Sequence, residues 1–170
     1  MSMETPIKYF IIGQTDTKTV LTEFTTNNVT STTKKQASQI FQKVCKTASE
    51  KGFEGRNKIT GKGENYYFKV DQPNILYLTL VDANYTERFI YKMMDDITED
   101  KIPLMVDEGG KELNSQGRQA LKAIIDKYQD IKNINKIAAI QSDVDSVKSD
   151  LQKNIAKVIS YFLFFIFTPF

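Results

Sequence analysis

The run 75-ILYLTLVD-82 has apolar side chains at nearly every position and ends in an aspartate. A strand with one solvated face would alternate apolar and polar residues, whereas a strand that is apolar on both faces is typical of the middle of a sheet that is covered on both sides. We therefore expect residues 75–82 to form a central strand with helices on both faces of its sheet.

Strand signals surround this run. Two turn signals, Gly61-Lys62-Gly63 and Gln72-Pro73-Asn74, separate this run from two strand candidates before it. The three strands together predict a meander. The polar tetrad 14–17 joins two earlier β-rich runs into a predicted hairpin. The four additional predicted strands comprise residues 7–13, 18–25, 58–61 and 65–71.

Three segments repeat apolar residues at helical spacing. The first follows a predicted polar loop over residues 26–33 and stops before Gly52. Asn84 or Thr86 can cap the second, and Asn114 or Ser115 the third. Residues 102–111, with a proline and two glycines, predict a loop. The three apolar stripes are Ala37, Ile40, Phe41, Val44 and Ala48; Phe89, Ile90, Met93, Met94 and Ile97; and Ala120, Leu121, Ile124, Ile125 and Tyr128.

The order of these elements predicts an α+β domain over residues 1–128, followed by a linker over residues 129–133. The composition of the chain excludes several kinds of partner and site. The formal net charge is only +2, with basic residues scattered among acidic ones, so we expect no nucleic-acid partner. Histidine is absent and Cys45 is the one cysteine, which excludes a disulfide framework, Cys/His zinc sites and a histidine base.

Candidate catalytic groups have plainer interpretations. The acidic residues at 95–96, 99–100 and 107–108 lack the spacing of a calcium-binding loop and predict a solvated surface. Gly61-Lys62-Gly63 lacks the remaining residues of a phosphate-binding loop. Cys45 has no histidine to activate it and is expected to fill space. The chain start lacks a secretory signal, which predicts a cytosolic beginning. We therefore expect neither an enzyme nor a cofactor.

A heptad stripe follows the linker. Its members recur at alternating steps of three and four in an otherwise polar segment, which indicates a helix that packs along one narrow seam with other helices. An amphipathic helix that packs on its own domain remains an alternative. The seam residues are Ile137, Ile140, Val144, Val147, Leu151, Asn154 and Val158.

Residues 135–158 resemble the N-terminal half of the SNARE motif of synaptobrevin-like R-SNAREs, in which Gln141, Val144, Asp145 and Val147 form a shared pattern and an asparagine, here Asn154, follows. The upstream segments 65–68, 76–82, 85–88 and 113–116 are similar to the longin domain of the long vesicle-associated membrane proteins. The resemblance implies a profilin-like longin fold, in which a five-stranded, antiparallel-rich sheet has one helix on one face and two on the other.

The resemblance also implies partners. The seam residues would form successive layers of a four-helix bundle with one syntaxin-type and two other Q-SNARE helices, which drives membrane fusion in vesicle-mediated transport. The longin domain would regulate assembly and sorting and bind coat or sorting adaptors at the cytoplasmic face of a vesicle or endomembrane. The alternative is a soluble longin-domain trafficking regulator or adaptor without fusogenic activity.

Two features depart from the family. Tyr161 stands where the central-layer arginine is expected, so residues 134–160 represent half a SNARE motif and residues 161–170 an aromatic apolar tail. The apolar stretch 158–167 is about half of the ~20 residues that span a bilayer, so this form is expected in the cytosol, with membrane attachment only in a full-length form.

Longin domains of this family fold back on their own SNARE helix through a groove between the first helix and the third strand. The regulatory surface expected here comprises Ile40, Phe41, Val44 and Ile59. Gly61 replaces a larger residue of the family, which predicts weak closure.

Overall fold

A computed structural model of the chain describes residues 5–71 and 73–130, which belong to a compact unit that ends at Asp130. Five strands form one sheet in the order β2-β1-β5-β4-β3, and every neighbouring pair is antiparallel. The elements are β1 (Ile7–Gln14), β2 (Val20–Thr25), α1 (Ser31–Lys51), β3 (Gly55–Thr60), β4 (Glu64–Asp71), β5 (Ile75–Asp82), α2 (Glu87–Glu99), a 3₁₀ turn (Ile102–Leu104) and α3 (Ser115–Gln129).

Strand β5 lies at the centre of the sheet, and all its residues except Asp82 are buried. Its polar residue Thr79 is fully buried and donates a hydrogen bond to the Tyr9 carbonyl of β1 at 2.9 Å. Helix α1 covers one face, where its side chains pack against those of β1, β4 and β5. Helices α2 and α3 cover the other face. The α+β class, the five strands and the central position of residues 75–82 are therefore confirmed.

Helix α1 has the ends that its sequence favours. The Thr30 hydroxyl accepts a hydrogen bond from the Thr33 amide, which caps the first turn. At the other end Gly52 adopts the left-handed conformation, with φ of 62°, and donates to the Ala48 carbonyl. The stop at Gly52 is confirmed. The predicted loop over residues 26–33 was three residues too long, because the capping hydroxyl lies at Thr30 and the helix begins at Ser31.

Other boundaries differ from the prediction. Strand β3 was placed at residues 58–61 and lies at Gly55–Thr60; all six residues are exposed, so no buried alternation marked its start. The predicted loop 102–111 contains the 3₁₀ turn, and Val106 forms a bridge with Leu113. In α3, Ala120 and Ile124 are only half-buried, because they lie at the margin of the apolar stripe.

No helix within residues 5–71 and 73–130 combines the length and apolarity needed to cross a bilayer. The predicted linker beyond Asp130, the seam and the aromatic tail lie outside the described residues.

Candidate binding surface

An apolar groove lies between α1 and β3. It has a cavity volume of about 170 Å³. Lys43, Val44 and Thr47 of α1 form one wall, Phe53 and Asn57 form the other, and Phe68 of β4 also lines it. Phe53 packs obliquely on Phe68, with 6.1 Å between ring centroids. We refer to these six residues as the α1–β3 groove.

The groove exists because α1 does not extend over the edge of the sheet. The buried cluster beneath α1 takes strand residues from β1, β4 and β5, and none of its members comes from β3. The antiparallel register pairs Asn57 with Phe68 and Ile59 with Tyr66, which directs the Asn57 and Ile59 side chains to the α1 face. Because none of the helices in the described ranges covers them, Ile59 is 42% exposed. The exposed Ile59 side chain therefore lies beside the groove on the same face of β3.

The four residues of the predicted regulatory surface have different environments. Val44, 8% exposed, lines the groove, Ile40 is half-buried beside the core cluster, and Ile59 is exposed on β3. Phe41 is fully buried and belongs to the core instead. Its ring fills the space that a side chain at Gly13 would take, since a Cβ there would lie 2.3 Å from the Phe41 Cζ atom. Phe41 therefore supports the groove without being available to a ligand.

Sequence analysis missed most of the groove. Phe53, Asn57 and Phe68 were not among the predicted surface residues, because Asn57 meets Phe68 only through the β3–β4 register and Phe53 meets Phe68 only through tertiary packing. One local signal was available: Phe53 is an isolated large apolar residue in the short polar connection between α1 and β3.

The opposite side of β3 is held by charged contacts to α2. Arg56 pairs with Asp95 at 2.7 Å, and Lys58 pairs with Glu87 at 3.0 Å. The Tyr91 hydroxyl donates to the Asn57 carbonyl at 2.9 Å, and burial raises the pKa of Tyr91 to about 12. These contacts fix the edge strand from one face, and its charged side chains discourage pairing of the free edge with another strand.

A second set of contacts is centred on Asp96 of α2 and joins α2 to α3. The Asp96 carboxylate accepts from Lys92 at 2.6 Å, from the Tyr128 hydroxyl at 2.7 Å and from Lys127 at 3.2 Å. Partial burial opposes ionisation of Asp96, but these three donors together lower its pKa below the usual value. Burial, followed by the bond to Asp96, raises the pKa of Tyr128.

The last residues of α3 are hydrogen-bonded to strand β1 and to the loop before α2. The Gln129 side-chain amide accepts from the Ile7 N–H at 3.0 Å and donates to the Ile7 carbonyl at 2.6 Å. The Tyr85 hydroxyl donates to the Tyr128 carbonyl at 2.8 Å. Gln129 was predicted to begin the linker, but it is the last residue of α3, and its side chain pairs with β1 as a neighbouring strand would.

The titratable groups have structural roles. Cys45 is fully buried, and burial raises its pKa to about 11, which leaves the thiol protonated and unreactive at neutral pH. Asp95 and Asp96 bind basic side chains. Asp107 accepts from the Lys111 amide at 3.0 Å within its own loop, and bonds of this kind lower its pKa. Within the described residues no cluster of three or more potential metal ligands occurs.

No family model and no curated protein matches this chain. Solved structures give distant similarities: MglB of Myxococcus xanthus has 7% identity and a TM-score of 0.40, over 53% of this chain and 76% of that chain. The gliding protein MglB of Thermus thermophilus has 11% identity and a TM-score of 0.37, over 49% and 67%. MglC of Myxococcus xanthus has 8% identity and a TM-score of 0.34, over 74% and 86%. Similarities of this level assign the chain to no family.

Proposed function

We propose that this chain is a longin-type R-SNARE, which assembles with Q-SNARE helices in vesicle-mediated membrane fusion and performs no catalysis. The observation that carries the proposal is the five-stranded antiparallel sheet with α1 on one face and α2 and α3 on the other, which is the arrangement that the family resemblance implies for a longin domain. This domain precedes the heptad seam at residues 137–158 in the sequence.

The seam would supply the driving force. Each well-buried Ile, Leu or Val contributes about 1.5–3 kcal/mol of apolar transfer free energy, so the six apolar layers provide on the order of 10 kcal/mol before ordering entropy is subtracted. Energy of this size is released stepwise if the layers form in sequence along the bundle.

The α1–β3 groove would regulate this assembly by binding the seam of the same chain. The groove offers apolar side chains at Val44, Phe53 and Phe68, next to the exposed Ile59. Lys43 at its wall is complementary in charge to Asp143 and Asp145, which lie between seam positions. Gly61, the basis for predicting weak closure, is required by the β3–β4 turn itself, because a Cβ at this position would lie 2.8 Å from the Glu64 carbonyl oxygen.

Mixing the full chain with Q-SNARE helices tests the function. We expect a complex that resists detergent. Val147→Asp would place a charge in a bundle layer and reduce assembly by about 100-fold or more. Ser146→Asp introduces the same side chain one position away from the seam and should assemble like the wild type. If both variants assemble equally well, the seam is not the binding surface and the proposal is wrong.

The groove has its own test. Ile59→Asp replaces the exposed apolar residue beside the groove and should speed assembly by up to about tenfold, the equivalent of one lost apolar contact. Thr60→Asp introduces the same side chain at the neighbouring residue, which faces the other side of β3, and should leave the rate of assembly unchanged. Equal rates for wild type and Ile59→Asp would refute regulation by the groove while leaving assembly itself intact.

One sequence feature favours a second candidate, a longin-domain trafficking regulator or adaptor without fusogenic activity. Tyr161 stands where the family's central-layer arginine is expected. Capture of coat or sorting adaptors by the full chain, together with failure to form a detergent-resistant complex with Q-SNARE helices, would favour this candidate over the R-SNARE.

A further inference from the structure

Helix α1 concentrates positive charge on the surface. It contains a single acidic residue, Glu50, and no arginine, and all its lysines are exposed. The helix therefore carries a net charge of +4 along about 30 Å. Residues 5–130 as a whole have 18 basic and 17 acidic side chains. The lysines of α1 are Lys34, Lys35, Lys43, Lys46 and Lys51.

Most of this charge is not neutralised within the fold. Lys46 pairs with Glu50 at 3.9 Å, and the other four lysines form no ion pair with any residue that the structure describes. Helices α2 and α3 differ: four of their five basic residues are ion-paired, and the fifth, Arg88, lies over the Phe89 ring. The ion-paired residues are Lys92, Arg118, Lys122 and Lys127.

The domain is consequently polarised. With +1 on residues 5–130 and +4 on α1, the remaining residues carry −3. Part of that negative charge lies at the end of α2 and in the loop before α3, at Glu99, Asp100, Asp107 and Glu108. A planar anionic surface attracts the α1 side of such a domain and repels the acidic loop, so it selects one orientation.

The use of lysine alone indicates the kind of partner. Lysine is a hydrated point charge on a flexible stem, whereas arginine provides the rigid fork that recognises a shaped acidic ligand. Five exposed lysines on a helix suit a diffuse array of headgroups. We propose that the exposed face of α1 docks the domain on an anionic lipid surface. This interaction is separate from Q-SNARE assembly and from the α1–β3 groove, because Lys34, Lys35 and Lys46 do not line the groove.

Vesicle flotation of the full chain tests this proposal. We expect binding to vesicles of phosphatidylcholine mixed with phosphatidylserine, weak binding to phosphatidylcholine alone, and release in about 1 M salt, where the Debye length is about 3 Å. Since each lysine near an anionic surface contributes about a fivefold gain in affinity, the triple variant Lys34→Gln, Lys35→Gln, Lys46→Gln should bind about 100-fold more weakly.

The matched control removes the same charge from the other side of the sheet, with Lys111→Gln, Arg118→Gln and Lys122→Gln, and should retain affinity to within about threefold. Equal losses in the two variants would overturn the proposal. So would undiminished binding of the α1 variant, which would place the contact elsewhere in the chain. Lysine-dependent binding to RNA or polyglutamate, without vesicle binding, would assign the face to an acidic macromolecule. None of these outcomes bears on the separate proposal of Q-SNARE assembly.

Discussion

The two faces of the sheet are covered in different ways. On one face, α2 and α3 are joined to each other and to the strands by ion pairs and hydrogen bonds, with Asp96 alone accepting from three side chains. On the other face, α1 buries a compact apolar stripe but does not cover β3, and four of its five lysines form no ion pair with any residue in the described ranges. Most side chains named on the α2–α3 face are paired within the domain, with the buried Asn65 Oδ1 as an exception, whereas the α1 face presents an apolar groove and lysines without ion-pair partners among the described residues.

This difference makes the α1 face the candidate binding face. Buried polar groups that are fully paired stabilise one packing arrangement, while exposed apolar strips and unpaired charges contribute little to folding. Substitutions should therefore affect stability on the α2–α3 face and beneath α1, and should affect binding at the groove and along the exposed side of α1.

The largest expected effect is on the core beneath α1. Phe41→Ala removes a fully buried ring and should lower the free energy of unfolding by about 3–5 kcal/mol, measured by urea denaturation. Phe53→Ala removes a ring of the same size from the groove wall, where it is only half-buried, and should cost about 1 kcal/mol. Equal costs would mean that the groove wall is part of the core.

The next effect is on the α2–α3 face. Asp96→Asn removes the charge that binds Lys92 and Lys127 and should lower the free energy of unfolding by about 1–3 kcal/mol. Glu99→Gln, on the exposed end of the same helix, should change it by less than about 0.5 kcal/mol.

The Asp96 contribution depends on pH. Because the folded-state pKa of Asp96 lies below its ordinary value of 3.8, the stabilisation is complete at pH values above that value and is lost as pH falls through the lowered pKa. The stability difference between wild type and Asp96→Asn should therefore shrink in acid. A difference that stays constant down to about pH 2 would contradict the ion-pair explanation.

A smaller effect is expected at the end of α3. Gln129→Leu removes both hydrogen bonds to the Ile7 backbone and should cost about 1–2 kcal/mol, with faster hydrogen exchange at the Ile7 amide. Gln119→Leu makes the same change at an exposed position of α3 and should leave that amide unaffected. Unchanged exchange at Ile7 in the Gln129 variant would show that the contact does not hold the end of the helix.

The smallest effect on stability is expected at Ile59, on the exposed strand β3. Ile59→Thr keeps a β-branched residue on an exposed strand and should change the free energy of unfolding by less than about 0.5 kcal/mol. A loss above about 1 kcal/mol would mean that Ile59 is buried in solution, and that the groove is closed within the domain.

The sequence predicted most of the fold because the strongest patterns belong to buried elements. The apolar run of β5 and the stripes of α1 and α2 are consequences of burial, and Gly52 and Asn114 are local stop and cap signals. Strand β3 was misplaced because none of its residues is buried. The role of Gln129 was also missed, since its partner Ile7 is 122 residues away and no local pattern records such a contact.

The candidate surface was only partly predictable for the same reason. Val44 and Ile59 could be named from family resemblance, but Asn57 meets Phe68 only through the β3–β4 register, and Phe53 meets Phe68 only through tertiary packing. Phe41 shares the apolar stripe of α1 with Val44, and helical periodicity alone does not distinguish the residue under Gly13 from the one at the rim of the groove.

Hydrogen exchange of the full chain, with and without Q-SNARE helices, tests the central claim most directly. We predict that partner helices slow exchange across residues 137–158, and that they speed it around Val44 and Ile59, as the proposed binding of the seam by the groove requires. Unchanged exchange across residues 137–158 at saturating partner concentrations would contradict the account.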